Sequence, residues 1–309
     1  MRSETRSRRA ILAAALLCLL IPSASLLAQA PPRSPWVFSV DGGGLHQTEV
    51  DLKDTEGAFS VDRWFVSAGV DYGFDPRRSI GISIGGGQSG YDFGDSTVFG
   101  GGGPWGDVKD FRVALPTRFG FGEKGNAFII PSVRYNREDG ASSSDGRTWG
   151  LLAAVAWRLN EDLTIGPGIG VFSRLEGGTR VFPILAIDWN ITERWTLATG
   201  RGLGASQGPG LNLSYRVSDN WSLGLAGRYE KVEFRLDDKG VAPGGIGRDQ
   251  SIPLVFTARL DSSPKLGFAV FAGIEFGGKL TLKNALDETV EETDYDPAPV
   301  IGASFEFRY

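Results

Sequence analysis

Leu266–Phe276, LGFAVFAGIEF, alternates without a break. Leu266, Phe268, Val270, Ala272, Ile274 and Phe276 fall on one face of an extended chain, and Gly267, Ala269, Phe271, Gly273 and Glu275 on the other. A side-chain period of two with one consistently apolar face is the mark of a β-strand, because successive Cβ atoms point to opposite sides of the pleat. The same period runs through Trp149–Leu159, WGLLAAVAWRL, and through Phe111–Phe121, FRVALPTRFGF. From about Pro35 onward the pattern recurs, and no stretch carries a convincing 3.6-residue helical period.

Turn residues separate these runs, in two kinds that alternate. The short kind is Asp75–Arg78, Gly122–Asn126, Asn160–Asp162, Thr192–Arg194, Ser218–Asn220 and Asp261–Lys265. The longer kind is Lys53–Gly57, Gly94–Gly106, Glu138–Gly146, Leu175–Gly178, Leu203–Gly208, Asp237–Asp249 and Ala285–Asp294. Interleaved, they predict about fourteen strands, within a range of about twelve to sixteen, and an even number puts both termini on the short-turn side. The less apolar face is rich in Gly, Ala, Ser and Thr, where a packed sandwich core would need large side chains. An all-β single antiparallel transmembrane β-barrel fits both faces: apolar residues toward lipid, small or polar ones toward a lumen. Aromatic residues near the short turns (Tyr72, Phe74, Phe119, Phe121, Trp157, Trp189, Trp195, Tyr215, Trp221, Phe307 and Tyr309) form the expected headgroup girdle.

Composition narrows the alternatives. The 309 residues are 41% hydrophobic and include 44 glycines, one Cys, one Met and one His. Arg2, Arg6, Arg8 and Arg9 precede the apolar run Ala10–Ile21, followed by Ala28-Gln29-Ala30. This charged, apolar, small-residue order predicts a secretory signal over residues 1–30, with Ser23-Ala24-Ser25 as an alternative cleavage region. The run is too short for a membrane-spanning helix, and Leu17 before Cys18 argues against a lipid anchor. Cys18 lies inside the signal, so a processed chain over 31–309 has no thiol for disulfides, nucleophilic catalysis or zinc. Loss of four Arg and one Glu with the signal takes the net charge from −5 to −8, which argues against nucleic-acid binding.

The last nine residues carry the most specific motif. Ile301, Ala303, Phe305, Phe307 and Tyr309 alternate up to a terminal aromatic residue. This resembles the closing-strand signature of Gram-negative outer-membrane β-barrel proteins of porin-like type. The resemblance implies residence in the outer membrane, contact with its lipid and lipopolysaccharide, and assembly by the barrel-assembly machinery, with Phe305, Phe307 and Tyr309 as the signal.

The strands that descend toward short turns or the C-terminus each place a charged residue on the inward face near that end: Asp71, Arg118, Arg158, Asp188, Arg216, Arg259 and Arg308. Five Arg against two Asp predict a band of formal charge +3. Two readings stay open for it: braces that bridge neighbouring strands, or a constriction that favours anions, as rings of Arg and Lys do in pores. Further up, Arg112, Arg134, Arg174 and Arg228 are opposed by Asp41, Glu230, Glu275 and Glu233, while Phe65, Phe128, Ile130, Phe172, Phe182 and Ile184 narrow the lumen. The loop Gly94–Gly106, with Gly100–Gly103, has two readings: a segment that folds into the pore, or a flexible outer loop with no task. Asp287, Glu288, Glu291, Glu292, Asp294 and Asp296 predict an acidic outer loop, either simply solvated or bridging lipopolysaccharide through divalent cations.

No catalytic, cofactor or metal motif emerges. Gly100–Gly103 lacks the Lys-Ser/Thr of a phosphate loop, and Gly200–Gly204 has no helix after it. The expected function is passive diffusion of small polar solutes, anion-preferring if the arginines face the pore. A structural or adhesive barrel is the alternative, and a lipid-modifying enzyme using His46 with Ser142–Ser144 is the third reading.

Overall fold

The computed structural model describes residues 34–53, 56–94, 103–199 and 210–309. The signal segment, the loop Leu203–Gly208, the tract Gly200–Gly204 and Gly100–Gly102 therefore lie outside the described residues. The remainder is all strand and turn: β1 Trp36–Asp51, β2 Ala58–Asp75, β3 Arg78–Asp92, β4 Val108–Ala114, β5 Thr117–Phe121, β6 Gly125–Glu138, β7 Arg147–Arg158, β8 Leu163–Ser173, β9 Thr179–Asn190, β10 Trp195–Thr199, β11 Gly210–Arg216, β12 Trp221–Arg228, β13 Glu230–Arg235, β14 Ile246–Ser263, β15 Leu266–Lys283, β16 Thr289–Asp294 and β17 Ala298–Arg308. Three pairs, β4–β5, β12–β13 and β16–β17, are interrupted staves. With each pair counted as one, the wall has the fourteen strands expected. Pro116 explains the first interruption, since it has no N–H for the ladder.

Neighbouring strands of the wall pair antiparallel, and β1 pairs with both β2 and β17, so among the described residues the wall closes on itself. The seam is locked at the short-turn end, where Phe38 and Tyr309 exchange two backbone hydrogen bonds of 2.8 Å. Closure is what lets the backbone cross hydrocarbon, where unpaired N–H and C=O groups cannot be solvated.

On β2 the outward face is apolar from Tyr72 through Val70, Ala68 and Val66 to Trp64, then turns polar at Asp62. Nine residues match the length of a spanning barrel strand. Rings of the lower girdle meet in local pairs, Trp36–Tyr72 at 4.8 Å, Phe121–Trp157 at 5.8 Å and Trp195–Tyr215 at 4.9 Å. Lys265 lies over the Tyr309 ring, 3.9 Å from its centre. Phe256 and Val270, at 70% and 59% exposed, show how openly this wall presents apolar surface, which is tolerable only against lipid.

Above the Trp64 level the wall becomes uneven. β2, β14 and β15 run for 18 residues, whereas β12 runs for 8. The overhanging strands need new partners for their edges. β12 breaks at Tyr229, and β13 leaves the wall, crosses the mouth and meets β6 in the single parallel pairing among the described residues, Arg235 opposite Arg137. Asn136 Nδ2 donates to the Glu233 carbonyl at 3.2 Å, and the Asp237 N–H donates to Glu138 at 3.0 Å.

This contact closes a second, smaller ring of β13, β14, β15, β16, β1, β2, β3, β4 and β6. β16 joins β1 through the Leu52–Tyr295 bridge. Barrels of about eight strands are filled by side chains, and this ring is filled. Phe59, Phe234, Leu280 and Leu282 are fully buried inside it, with Trp105, Phe93 and Tyr295 nearly so. The fold thus sets a small cap with an apolar core, of the kind soluble proteins have, on one side of a membrane barrel.

Two loop boundaries differ from expectation. Ala285–Asp294 is a turn at Asn284–Glu288 followed by β16, because Glu291, Glu292 and Asp294 extend the ladder opposite Leu282, Thr281 and Lys279. Asp237–Asp249 is likewise shorter, since β14 begins at Ile246. In both places alternation continues into residues whose polarity reads as loop, because their outward face meets water above the bilayer.

Candidate functional site

The expected band lies where the alternation puts it. Asp71, Arg118, Arg158, Asp188, Arg216, Arg259 and Arg308 all occupy inward positions of their strands near the short turns. Opposite them stand small residues, and the packing shows why. A side chain at Gly81 would strike the Asp71 carboxylate, and one at Gly267 would strike the Arg259 guanidinium. Elsewhere the residues across the ladder are Ser79 for Arg118, Thr164 for Arg158 and Asp188, Ser222 for Arg216, Ala269 for Arg259 and Ser39 for Arg308.

The charge of the band differs from expectation. Asp41 and Glu306 face inward opposite each other, and Asp261 opposite Gly267, so with these three carboxylates the formal +3 falls to zero. Arg259 donates to Asp261 at 2.8 Å and to Glu306 at 3.2 Å, and Arg308 contacts Glu306 at 2.6 Å. Arg118 donates to the Pro76 carbonyl at 2.6 Å. The Arg118 and Arg259 contacts link different strands or turns, whereas that of Arg308 lies within β17. Arg158 and Arg216 make no side-chain hydrogen bond or ion pair among the described residues and project as exposed groups. Glu306 was legible from the alternation that places Phe305 and Phe307 outward.

Farther up, Arg112 and Arg134 face each other across β4 and β6. Directly beneath the cap core lies an ionic layer that sequence reasoning captured only in part. It foresaw Glu230 and Glu275 but not Arg63 or Asp249. Arg63 donates to Asp249 at 2.8 Å and lies 3.7 Å from Glu230 and 3.6 Å from Glu275. Asp249 also accepts hydrogen bonds from the Tyr91 and Tyr295 hydroxyls at 2.9 and 3.1 Å. Buried charge of this kind persists only when paired and hydrogen-bonded. The described ends of the loop Gly94–Gly106 do turn into the mouth: Phe93 and Trp105 pack at 5.7 Å within the cap core.

The wall from β7 to β12 differs from the capped side. Its inward positions include Gly150, Ala154, Ala156, Gly166, Gly168, Gly170, Ala186, Ala198, Ser214 and Gly224, which leave room in the lumen. Phe172 and Phe182 stack there at 5.7 Å, and the other inward apolar groups Phe65, Phe128, Ile130 and Ile184 keep the orientation expected. Next to these stacked rings, at the rim, stand Arg174 and Arg180. They face Lys231, Glu233, Arg248 and Lys283 on the outer surface of the cap across a cleft of about 420 Å³.

His46 does not reach the lumen. It lies on the outer surface of β1 with Nδ1 2.8 Å from Asp62, both exposed, while Ser142 and Ser144 contact each other at 2.8 Å in the β6–β7 loop. The two elements required by a Ser–His hydrolase are not brought together. The acidic residues after Asn284 are largely paired with lysines: Lys279 with Glu292 at 2.6 Å, Lys283 with Asp287 at 2.7 Å and Lys53 with Asp296 at 3.6 Å. Among the described residues, no group of three or more His, Cys, Asp or Glu is placed to hold a metal ion.

No protein-family model matches the sequence, and no curated protein matches it. Solved structures do. An outer-membrane channel from Pseudomonas putida F1 superposes with a TM-score of 0.50 at 11% identity, covering 93% of this chain and 100% of that one. The toluene transporter TodX of Pseudomonas putida gives 0.48 at 9% identity over 89% of this chain and 90% of that one. A FadL homologue from Pseudomonas aeruginosa gives 0.46 at 10% identity over 88% and 90%. At such identities the likeness speaks to architecture, and the first of these carries it. The chain has the fold of a Gram-negative outer-membrane β-barrel channel, a closed antiparallel wall of fourteen strands.

Proposed function

We propose that this protein is an outer-membrane channel for passive diffusion of small polar solutes, with a preference for anions. The observation that carries the reading is the asymmetry of the lumen. The cap fills the mouth above β13–β16 and β1–β6, whereas the β7–β12 wall is lined by small residues and ends in an open cationic cleft. A solute would enter beside β13, pass the Phe172–Phe182 stack and leave past Arg158 and Arg216. The fields of these cations raise the local concentration of anions. The other five charges of the expected band act in this reading as a modest local field, because Asp41, Glu306 and Asp261 offset them.

The test is conductance of the refolded chain in planar bilayers, with folding shown first by a heat-shifted gel band. Under a KCl gradient the reversal potential should report anion selectivity, and Arg158→Gln with Arg216→Gln should reduce it. A folded barrel that passes no current would remove the channel reading and favour a structural or adhesive barrel. Cation selectivity would leave a pore but remove the role given to the arginines.

A further inference from the structure

We propose that the cleft between the cap and the β8–β9 rim is a binding site for a small dianionic oxyanion, of the phosphate or dicarboxylate class. The inference deepens the channel reading and rests on it for how such a solute reaches the cleft, but the site itself stands on its own geometry. Five cationic side chains converge: Arg174 just beyond the end of β8, Arg180 from the inward face of β9, and Lys231, Arg248 and Lys283 from the outer surface of the cap. Among the described residues two carboxylates form ion pairs with them, while Glu292, whose charge also reaches Arg248, is taken up by Lys279. Glu233 Oε1 accepts from Arg180 and Arg248, each at 2.9 Å, with Lys231 at 3.8 Å. Asp287 takes Lys283 at 2.7 Å and Arg174 at 3.6 Å. Glu176 is engaged by Arg235 and adds nothing to the balance.

Three positive charges therefore remain in excess over the group of five, whose side chains range from 11% exposed at Lys283 through 15% at Arg248 and 18% at Lys231 to 32% at Arg180 and 37% at Arg174. Like charges held together with little solvent repel strongly, and a bound anion relieves that repulsion. The strain shows at Lys231, whose ammonium is pushed down to about 8, first by burial and then by Arg248 and Arg180, with Arg174 adding to it and Glu233 opposing.

Geometry selects the ligand class. Each guanidinium has five N–H donors, and Arg180 and Arg248 each spend one on Glu233, so planar forks remain for oxyanion oxygens. A volume of about 420 Å³ admits a phosphate or a short dicarboxylate together with water. Arg180 at the β8–β9 rim faces the lumen and not the lipid, so the site suits a soluble solute and not a lipid headgroup.

The experiment is calorimetric titration of the folded full-length barrel in detergent at low ionic strength, with inorganic phosphate and with succinate as probes. Parent protein should bind at least one of them, and Lys231→Gln with Arg248→Gln should weaken binding at least tenfold. Lys109→Gln, which alters an exposed cation outside the cleft, should bind as the parent does. Binding of both probes assigns a general dianion site, and binding of phosphate alone narrows it to phosphoryl groups. Absence of binding by folded parent protein, or equal binding by the cleft variant, would overturn the proposal. Because the titration reads binding and not current, a silent barrel that still binds phosphate would reject the channel reading while keeping the site.

Discussion

Replacement of Phe234 by Ala isolates the cap from the barrel beneath it. The Phe234 ring is fully buried, 5.1 Å from Trp105 and 6.2 Å from Tyr91, and it presses against Gly247 across the β13–β14 ladder. Truncation of a buried Phe to Ala costs about 3–5 kcal/mol, from lost burial and from the cavity left behind. At about 1.4 kcal/mol per factor of ten, the equilibrium between docked and detached β13 should move by roughly two to three and a half orders of magnitude. Phe234 stands above the Trp64 level, where the outer surface has turned polar, so the lipid-embedded ladders keep their pairing. Two readouts follow. Residues 236–245, which connect β13 to β14, should become sensitive to protease, and single-channel conductance should rise as the mouth is uncovered. Phe234→Leu, closer in volume, should cost under about 1.5 kcal/mol and largely preserve both. Were Phe234→Ala to leave proteolysis and conductance as in the parent while the heat-shifted band persisted, the filled second ring would not be what closes the mouth.

Two further outcomes are expected. Arg63→Met leaves Asp249, Glu230 and Glu275 without their shared cation, and loss of one partner from a buried ionic cluster should destabilise the protein by about 3–5 kcal/mol, read as a lower urea midpoint. Asp287, in the β15–β16 turn, is held below the usual carboxylate range by a hydrogen bond from the Lys283 ammonium. A depressed folded-state pKa stabilises above the ordinary carboxylate value and is lost as pH falls through the depressed one. The β15–β16 turn should therefore resist proteolysis at neutral pH and loosen in acid. Asp287→Asn should abolish that pH step, and persistence of the step would assign it to another group.

Alternation and turn spacing determined most of the wall. In a closed barrel one face meets lipid and the other a lumen, so the period of two in Trp149–Leu159 or Leu266–Phe276 settles the side on which every residue lies. The inward placement of Arg158, Arg216, Phe172 and Phe182 was legible for that reason, as was the girdle from Tyr72 to Tyr309. Glu306 and Asp261 were equally legible, and with them the band carries little net charge.

The cap was decided only by the tertiary structure. Val232, Phe234 and Leu236 alternate with Lys231, Glu233 and Arg235 as another wall strand would, and nothing local says that this strand leaves the wall at Tyr229. Its partner is Arg137, 98 residues away, and nothing near either residue in the sequence signals that the edges of β13 and β6 meet across the mouth. The same crossing carries Lys231 and Arg248 to Arg174 and Arg180 and forms the cationic cleft. Side-chain period is a property of each segment and can be read along the chain. Closure of free edges is a property of the whole sheet, and appears only once all strand lengths are set against one another.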